Sequence, residues 1–305
     1  MENDSTKALW DFYSLEDKDD FTHAYLYLKY IDHFIHHAFL ASGLPSKGPP
    51  EKLKEEAMDT LLKSLVQNIA EASPDAATSI YHAKVVKLKD AIQLVTQKHD
   101  LSLITPDKVV PFKIAKDIIL KNPGSIAVGD CPCRSMQDKP CLPLDVCMFI
   151  GDPFASFIAD QNPKYRKISQ EEAVKILEAE HKRGHVHCAY FKKQLGNRFF
   201  SICNCCSCCC TGVKMWNLLE GTVPILAPSG YVSEVSDECN ACAKCIEYCR
   251  FNALTLDEGG KKAIVNLKKC MGCGACEDTC PIGAISLRLE PSKGEPLDLQ
   301  ALMSE

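Results

Sequence analysis

Cys239-x-x-Cys242-x-x-Cys245-x-x-x-Cys249 is followed, after twenty residues, by Cys270-x-x-Cys273-x-x-Cys276-x-x-x-Cys280-Pro281. Three thiolates separated by two residues each can wrap one corner of an iron–sulfur cubane. A fourth is thrown outward by a turn and reaches a different cluster. This is the spacing of the bacterial iron–sulfur run, in which the fourth Cys of each run completes the other run's cluster. The expected sets are Cys239, Cys242, Cys245 and Cys280 around one [4Fe–4S] centre, and Cys270, Cys273, Cys276 and Cys249 around the second. A pair of structural zinc sites is the main alternative, but zinc ligands usually come as two separated pairs. Disulfides are a third reading, weakened because nothing in the sequence suggests secretion.

The two runs resemble the two-[4Fe–4S] ferredoxins, which also occur as dicluster domains inside larger redox proteins. The resemblance covers roughly residues 229–290 and implies a ferredoxin-like fold. One departure stands out: Pro281 follows the second run, but Arg250 stands where the first would carry Pro. Its charge would raise the nearby cluster's potential without removing a ligand.

The chain has 305 residues, 46% of them apolar, which is enough for ordinary packed cores in two or three domains. A net charge of −5 does not indicate a general nucleic-acid surface. The N-terminus Met1-Glu2-Asn3-Asp4 does not read as a signal peptide, and no apolar run approaches the ~18 residues of a membrane span. The expectation is a soluble, cytoplasmic protein of a reducing, anaerobic cell, where many thiolates survive. Of 19 cysteines, none lies in the first 130 residues.

Four segments are expected. Residues 1–104 read as a helical domain. Phe21, Ala24, Tyr25, Leu28, Ile31, Ile35, Ala38 and Phe39 make one helical stripe ending near Ser42-Gly43. A second helix follows Pro49-Pro50, with Leu53, Ala57, Met58, Leu61, Leu62, Leu65 and Ile69. A third is capped by Ser73 and carries Tyr81, Val85, Leu88, Ile92 and Val95. Together they suggest an antiparallel bundle. His33 and His37 lie one turn apart, but they lack the usual accompanying ligands, and a solvated helix face is expected.

Residues 105–228 read as a cysteine-rich α+β domain. A helix carries Ile114, Ile118, Ile119 and Leu120, then a short strand runs over 125–128. A capping box at Ser169-x-x-Glu172 starts a helix that stops at Gly184. His185 to Cys188 and Phe199 to Ile202 read as extended. Pro224, Pro228 and Gly230 form a linker into the dicluster ferredoxin domain of 229–290, whose repeats end in strands at 253–256 and 284–287. Residues 291–305 read as a loose tail. The fold class is α+β throughout.

Six cysteines fall within Cys203-Asn204-Cys205-Cys206-Ser207-Cys208-Cys209-Cys210. Packed thiolates repel one another unless a metal takes their charge. Neighbouring side chains diverge, so distant partners are needed. One additional iron–sulfur centre is expected, possible ligands of a second included. The first choices are Cys131, Cys133, Cys147, Cys203, Cys205 and Cys206, followed by Cys208, Cys209 and Cys210. Cys141 is a further partner, with His187 and Cys188 at the margin. A zinc or other soft-metal knot is the sober alternative.

Cys131 to Arg134, Cys141, Cys147-Met148, Gly184 to His187 and Ile202 to Cys210 together resemble a group of iron–sulfur proteins from anaerobes. The resemblance spans 125–290 and implies redox cofactors while leaving the substrate open. The N-terminal part of that group often resembles a winged helix, which residues 1–104 do not, so no role is carried over.

The first expectation is an electron-transfer protein or subunit. The second is an oxidoreductase whose middle-domain cluster is the catalytic site. Soft-metal handling or redox sensing is the third. No Gly-x-Gly-x-x-Gly turn or phosphate loop is present, so flavin or nicotinamide would sit on a redox partner, a flavoprotein or reductase subunit.

Overall fold

The computed structural model describes residues 4–13, 17–49, 51–53, 55–221 and 225–304. Pro50 and Pro224, used above for a helix start and a linker, lie outside the described residues. Four helices come first: α1 (Asp4–Phe12), α2 (Lys18–Lys29), α3 (Ile31–Ala41) and α4 (Glu56–Ala70). Next are α5 (Pro74–Ile80), β1 (Tyr81–Val86), α6 (Leu88–Val95), β2 (Leu101–Leu103) and β3 (Ile118–Asp130). The middle of the chain holds α7 (Pro132–Ser135), β4 (Asp145–Asp152), α8 (Phe154–Gln161), β5 (Tyr165–Ile168) and α9 (Gln170–Lys182). After these come β6 (Val186–Lys192), β7 (Arg198–Cys205), α10 (Thr211–Leu218), β8 (Leu226–Ala227) and β9 (Tyr231–Val235). The chain closes with α11 (Lys244–Tyr248), β10 (Leu254–Leu256), β11 (Ala263–Val265), α12 (Ala275–Thr279), β12 (Ile285–Leu289) and α13 (Leu299–Leu302).

An eight-stranded sheet in the order β2-β3-β4-β7-β6-β1-β8, with β5 also on β3, organises the fold. Successive side chains along a strand point to opposite faces. Ala83 and Val85 of β1, Phe149 of β4, and Cys188 and Tyr190 of β6 enter one core with Tyr27, Phe34 and Phe39 of the N-terminal helices. Val86, Met148, Ile150, Ala189 and Phe191 enter the other, packed with Leu94 of α6 and Leu177 of α9. A register shift beside Tyr190 and Phe191 lets Phe200 join the first core although Ile202, two residues on, belongs to the second. A small separate pair of two-stranded sheets, β10-β11 and β12-β9, carries the twin cysteine runs.

Several expectations change. The first long helix is two, broken at Tyr30. The third is α5, then β1, then α6: Ser73 does cap α5, accepting from the Ala76 N–H at 3.3 Å, but Tyr81 and Val85 belong to a strand. Their four-residue spacing fits a helix equally well; β-branched and aromatic neighbours buried on both faces decide for a central strand. The sheet therefore draws residues 81–103 into the layer that carries the cysteines, across residue 104. Ile118, Ile119 and Leu120 are likewise strand, with Ile118 and Leu120 buried in alternation and paired with β2. His33 and His37 do not lie on a solvated face. Both are buried, and His37 Nε2 meets Asp59 Oδ1 at 3.0 Å. The tail is also held. Leu297 and Leu299 enter the second core, and the Leu299 N–H donates to Gln93 Oε1 at 2.8 Å.

α9 follows the capping box as expected, with Ser169 Oγ accepting from the Glu172 N–H and Gly184 at φ +71° just past its end. A Cβ at Gly184 would meet Tyr248 of the ferredoxin run at 2.5 Å.

Lys192 is fully buried, with rings of Tyr27, Phe34 and Tyr81 at 4.9, 5.0 and 5.2 Å and no hydrogen-bond partner for Nζ among the described residues. Burial pushes its ammonium down to about 7. Between that pH and the ordinary lysine range the unfolded chain binds the extra proton, so stability from this group rises with pH. Below about pH 7 the full cost of the buried charge is present. Lys192→Met is therefore expected to raise the thermal midpoint most at pH 6–7. That advantage should shrink toward pH 10; a pH-independent difference would contradict this.

Candidate iron–sulfur and thiolate centres

In the C-terminal part, Cys239, Cys242, Cys245 and Cys280 line one cavity, and Cys249, Cys270, Cys273 and Cys276 line another. Backbone N–H groups point at the sulfurs: Ala253 to Cys249 and Ala284 to Cys280, each at 3.2 Å, and Ser233 to Cys270 at 3.4 Å. The Ser233 hydroxyl lies 2.9 Å from Cys276 Sγ. Such donors favour the thiolate over the thiol and the reduced over the oxidised cluster. The lining is otherwise apolar, from Leu254, Met271, Ala275 and Ile285 among others. These two donor sets fit a cubane each.

The repeat extends to the backbone. Ala241 and Ala243 in the first run, and Gly272 and Gly274 in the second, all have positive φ. At Gly272 only glycine fits, since a Cβ would lie 2.2 Å from Tyr231 O and 2.4 Å from Ser229 Oγ. Gly272→Ala should displace the Cys270–Cys273 turn and cost one ferredoxin cluster, read as a loss of roughly four irons per chain. Unchanged iron would contradict this.

In the middle of the chain, strand alternation puts Cys147 of β4, Cys188 of β6 and Cys203 and Cys205 of β7 on one sheet face. Cys188 and Cys203 are paired across β6 and β7. Cys131 and Cys133 flank the start of α7, and Cys210 caps α10. The thiols form a continuous chain of contacts. Cys203 meets Cys147, which meets Cys131, then Cys133, Cys210, Cys205 and Cys188. Crowding splits their acidities: thiol hydrogen bonds from Cys131 and Cys210 push Cys133 well down, while Cys131, Cys147, Cys205 and Cys210 are pushed up. Seven sulfurs in this space cannot all be thiolates without a cation.

All of these except Cys188 line a cavity of about 50 Å³, against about 20 and 10 Å³ for the two ferredoxin cavities. Its other walls are Tyr27, Ile31 and Ile35 of the N-terminal helices and Tyr81, Phe149, Tyr165, Tyr190 and Ser201. The soft donors, the burial and the charge demand fit an iron–sulfur cluster. Burial pushes the Tyr27 and Tyr81 phenols up, and their hydroxyls bond to each other, so both remain O–H groups beside the sulfurs.

Sequence reasoning placed several of these residues differently. Cys206 was a first choice for the cluster. It borders the cavity, but its thiol joins Cys141, Cys208 and Cys209 in a separate quartet. Cys210, ranked lower, is inside the cavity wall. His187 faces the other side of the sheet, where Nδ1 meets Asn204 Oδ1 at 2.7 Å and the ring stacks on His181. Arg134 was seen only as part of a motif. It is buried between the two thiol groups, with Nη2 bound to Glu180 Oε2 at 2.5 Å and to Asn204 O at 2.9 Å. The tyrosine walls had no sequence signal beyond helical and strand periodicity.

The ferredoxin part is docked on α9. The Arg250 guanidinium donates from Nε to Gly184 O at 2.8 Å and from Nη2 to Arg183 O at 2.9 Å. It satisfies carbonyls that the helix C-terminus leaves open, which accounts for arginine where the run elsewhere carries proline. Asp278, between Cys276 and Cys280, pairs with His181 of α9. Cys249 and Cys273 pack against the core that contains Cys188 and Cys205.

These features define a dicluster iron–sulfur protein. The profile of the family described as "4Fe-4S dicluster domain" matches residues 238–284. An uncharacterized ferredoxin of Methanocaldococcus jannaschii is 37% identical over 49 residues, 16% of this chain and 77% of its own. A ferredoxin of Pyrobaculum islandicum is 40% identical over 50 residues, 16% of this chain and 46% of its own. The archaeal-type glutamate synthase [NADPH] of Thermotoga maritima is 34% identical over 71 residues, 23% of this chain; the chain spans 14% of that protein's length. In its C-terminal part the chain belongs to the 4Fe-4S dicluster ferredoxins, whose domain carries two [4Fe–4S] clusters and transfers electrons. Among the described residues, no helix is long and apolar enough to cross a membrane.

Proposed function

We propose that the chain is an iron–sulfur electron-transfer protein or subunit. It would pass low-potential electrons through two [4Fe–4S] clusters to or from an additional iron–sulfur centre in the middle domain. When bound, such clusters supply one-electron carriers whose potentials reach about −400 mV and range widely. Cys239, Cys242, Cys245 and Cys280 would hold one ferredoxin cluster and Cys249, Cys270, Cys273 and Cys276 the other. Cys131, Cys133, Cys147, Cys203, Cys205 and Cys210 would supply the ligands of the third centre.

The observation that carries this reading is a packed junction: Cys249 and Cys273 of the second ferredoxin quartet lie against the core that holds Cys188, Cys205 and Cys210. Arg250 and Asp278 fix the two parts relative to each other, so the junction does not depend on a mobile linker. The test is kinetic. With a low-potential donor under anoxic conditions, the middle centre should be reduced at least tenfold more slowly in Cys273→Ser than in the unaltered chain. Equal rates would show that electrons reach it another way.

The size of the middle cavity favours a second reading. It is larger than either ferredoxin cavity, and Tyr27, Tyr81 and Ser201, which carry hydroxyls, line it. A reductase acting on a small substrate at this centre would use those O–H groups to orient the substrate or protonate it.

A further inference from the structure

We propose that Cys141, Cys206, Cys208 and Cys209 form a mononuclear tetrathiolate site for Zn²⁺, separate from the iron–sulfur centre of the neighbouring cavity. The four sulfurs all lie within 4.8 Å of one another, with Cys141 and Cys208 at 2.9 Å and Cys208 and Cys209 at 3.7 Å. A zinc–sulfur bond of about 2.3 Å in a tetrahedron sets neighbouring sulfurs roughly 3.8 Å apart. A cubane holds each thiolate outward on a different iron, so its ligand sulfurs stand farther apart. The chain contains its own comparison. Among the described residues, no three of the eight ferredoxin cysteines come as close together as these four, and neither do three from the cavity chain.

The chemistry of the donors agrees. Four thiols packed this tightly repel as anions, and a divalent ion removes that cost. The Cys141 N–H points at Cys209 Sγ at 3.5 Å, as an outer-shell donor to a bound thiolate does. Three ligands come from one turn, Cys206 to Cys209, and the fourth from the loop between α7 and β4. A closed site with no open coordination position has a structural role. It staples that loop to the turn and so fixes Cys205 and Cys210, which flank the turn and line the cavity. Zinc has no redox chemistry, so the site does not compete for electrons.

The inference goes beyond the electron-transfer reading, and the two can fail separately, because inorganic sulfide reports the cluster and zinc reports this quartet. The experiment uses the full chain purified without oxygen from cells supplied with both metals. Metal analysis should find about one zinc per chain, and X-ray absorption at the zinc edge should show four sulfurs at about 2.3 Å. Cys208 is exposed, so Cys208→Ala should fold; it is expected to lose the zinc and keep its inorganic sulfide. Zinc-free protein, a lone iron without sulfide in this quartet, a Cys141–Cys208 disulfide, or a Cys208→Ala chain that keeps zinc and loses sulfide would each overturn the assignment.

Discussion

Replacing Arg134 with methionine is expected to lower the stability of the folded chain by about 3–5 kcal/mol, the cost of breaking a buried ion pair from one side. Arg134 and Glu180 are each 1% exposed, and the guanidinium also donates to Pro143 O at 2.5 Å and Asn204 O at 2.9 Å. Methionine fills a similar volume but leaves those carbonyls and the carboxylate without their donor. Burial alone would push the Glu180 carboxyl up. Hydrogen bonds from His185 and Arg134, and their charges, more than offset this and hold it below its usual range. Its contribution is thus present above the ordinary carboxylate pKa and is lost only as pH falls through the lower folded value. In Arg134→Met that loss should begin at higher pH. Adding Glu180→Leu should recover most of the stability, because an apolar pair can replace a buried ion pair at little cost. Denaturant unfolding under anoxic conditions gives the comparison. A single variant within about 1 kcal/mol of the unaltered chain would contradict the argument from unpaired burial.

The second large effect is on cofactor content. Serine at both Cys131 and Cys147 should remove roughly four irons and four sulfides per chain while the ferredoxin signals persist. These two thiols contact each other and bring the α7 start against β4, so losing both breaks the thiol chain between Cys203 and Cys133. The expected spectrum is that of a two-cluster ferredoxin. If the double variant keeps all its iron, the cavity thiols are not ligands. If it loses the ferredoxin signals as well, the two parts are not independent in the way the separate cavities imply.

The ferredoxin part was legible because its ligands are local: three of every four sit within seven residues of one another, and the fourth lies in the partner repeat. The middle centre was legible only as a need for metal. Its thiols come from β4, β7 and the starts of α7 and α10, and only the pairing of β4 with β7 brings these together. That pairing is non-local information. The split of the 203–210 segment was hidden for the same reason: Cys206 and Cys210 go to different groups because Cys141 and Cys133 approach from different sides. Periodicity misled where apolar residues four apart suit either structure, as at Tyr81 and Val85. Arg250 looked like a lost proline. Its use, closing the end of α9, depends on a contact across 66 residues.

Iron and inorganic sulfide, counted per chain in anoxically prepared protein, should come to about twelve of each: two ferredoxin clusters and a third held by the cavity thiols. About eight of each, with the cavity thiols free to alkylation, would contradict this and leave a ferredoxin attached to a domain without redox chemistry of its own.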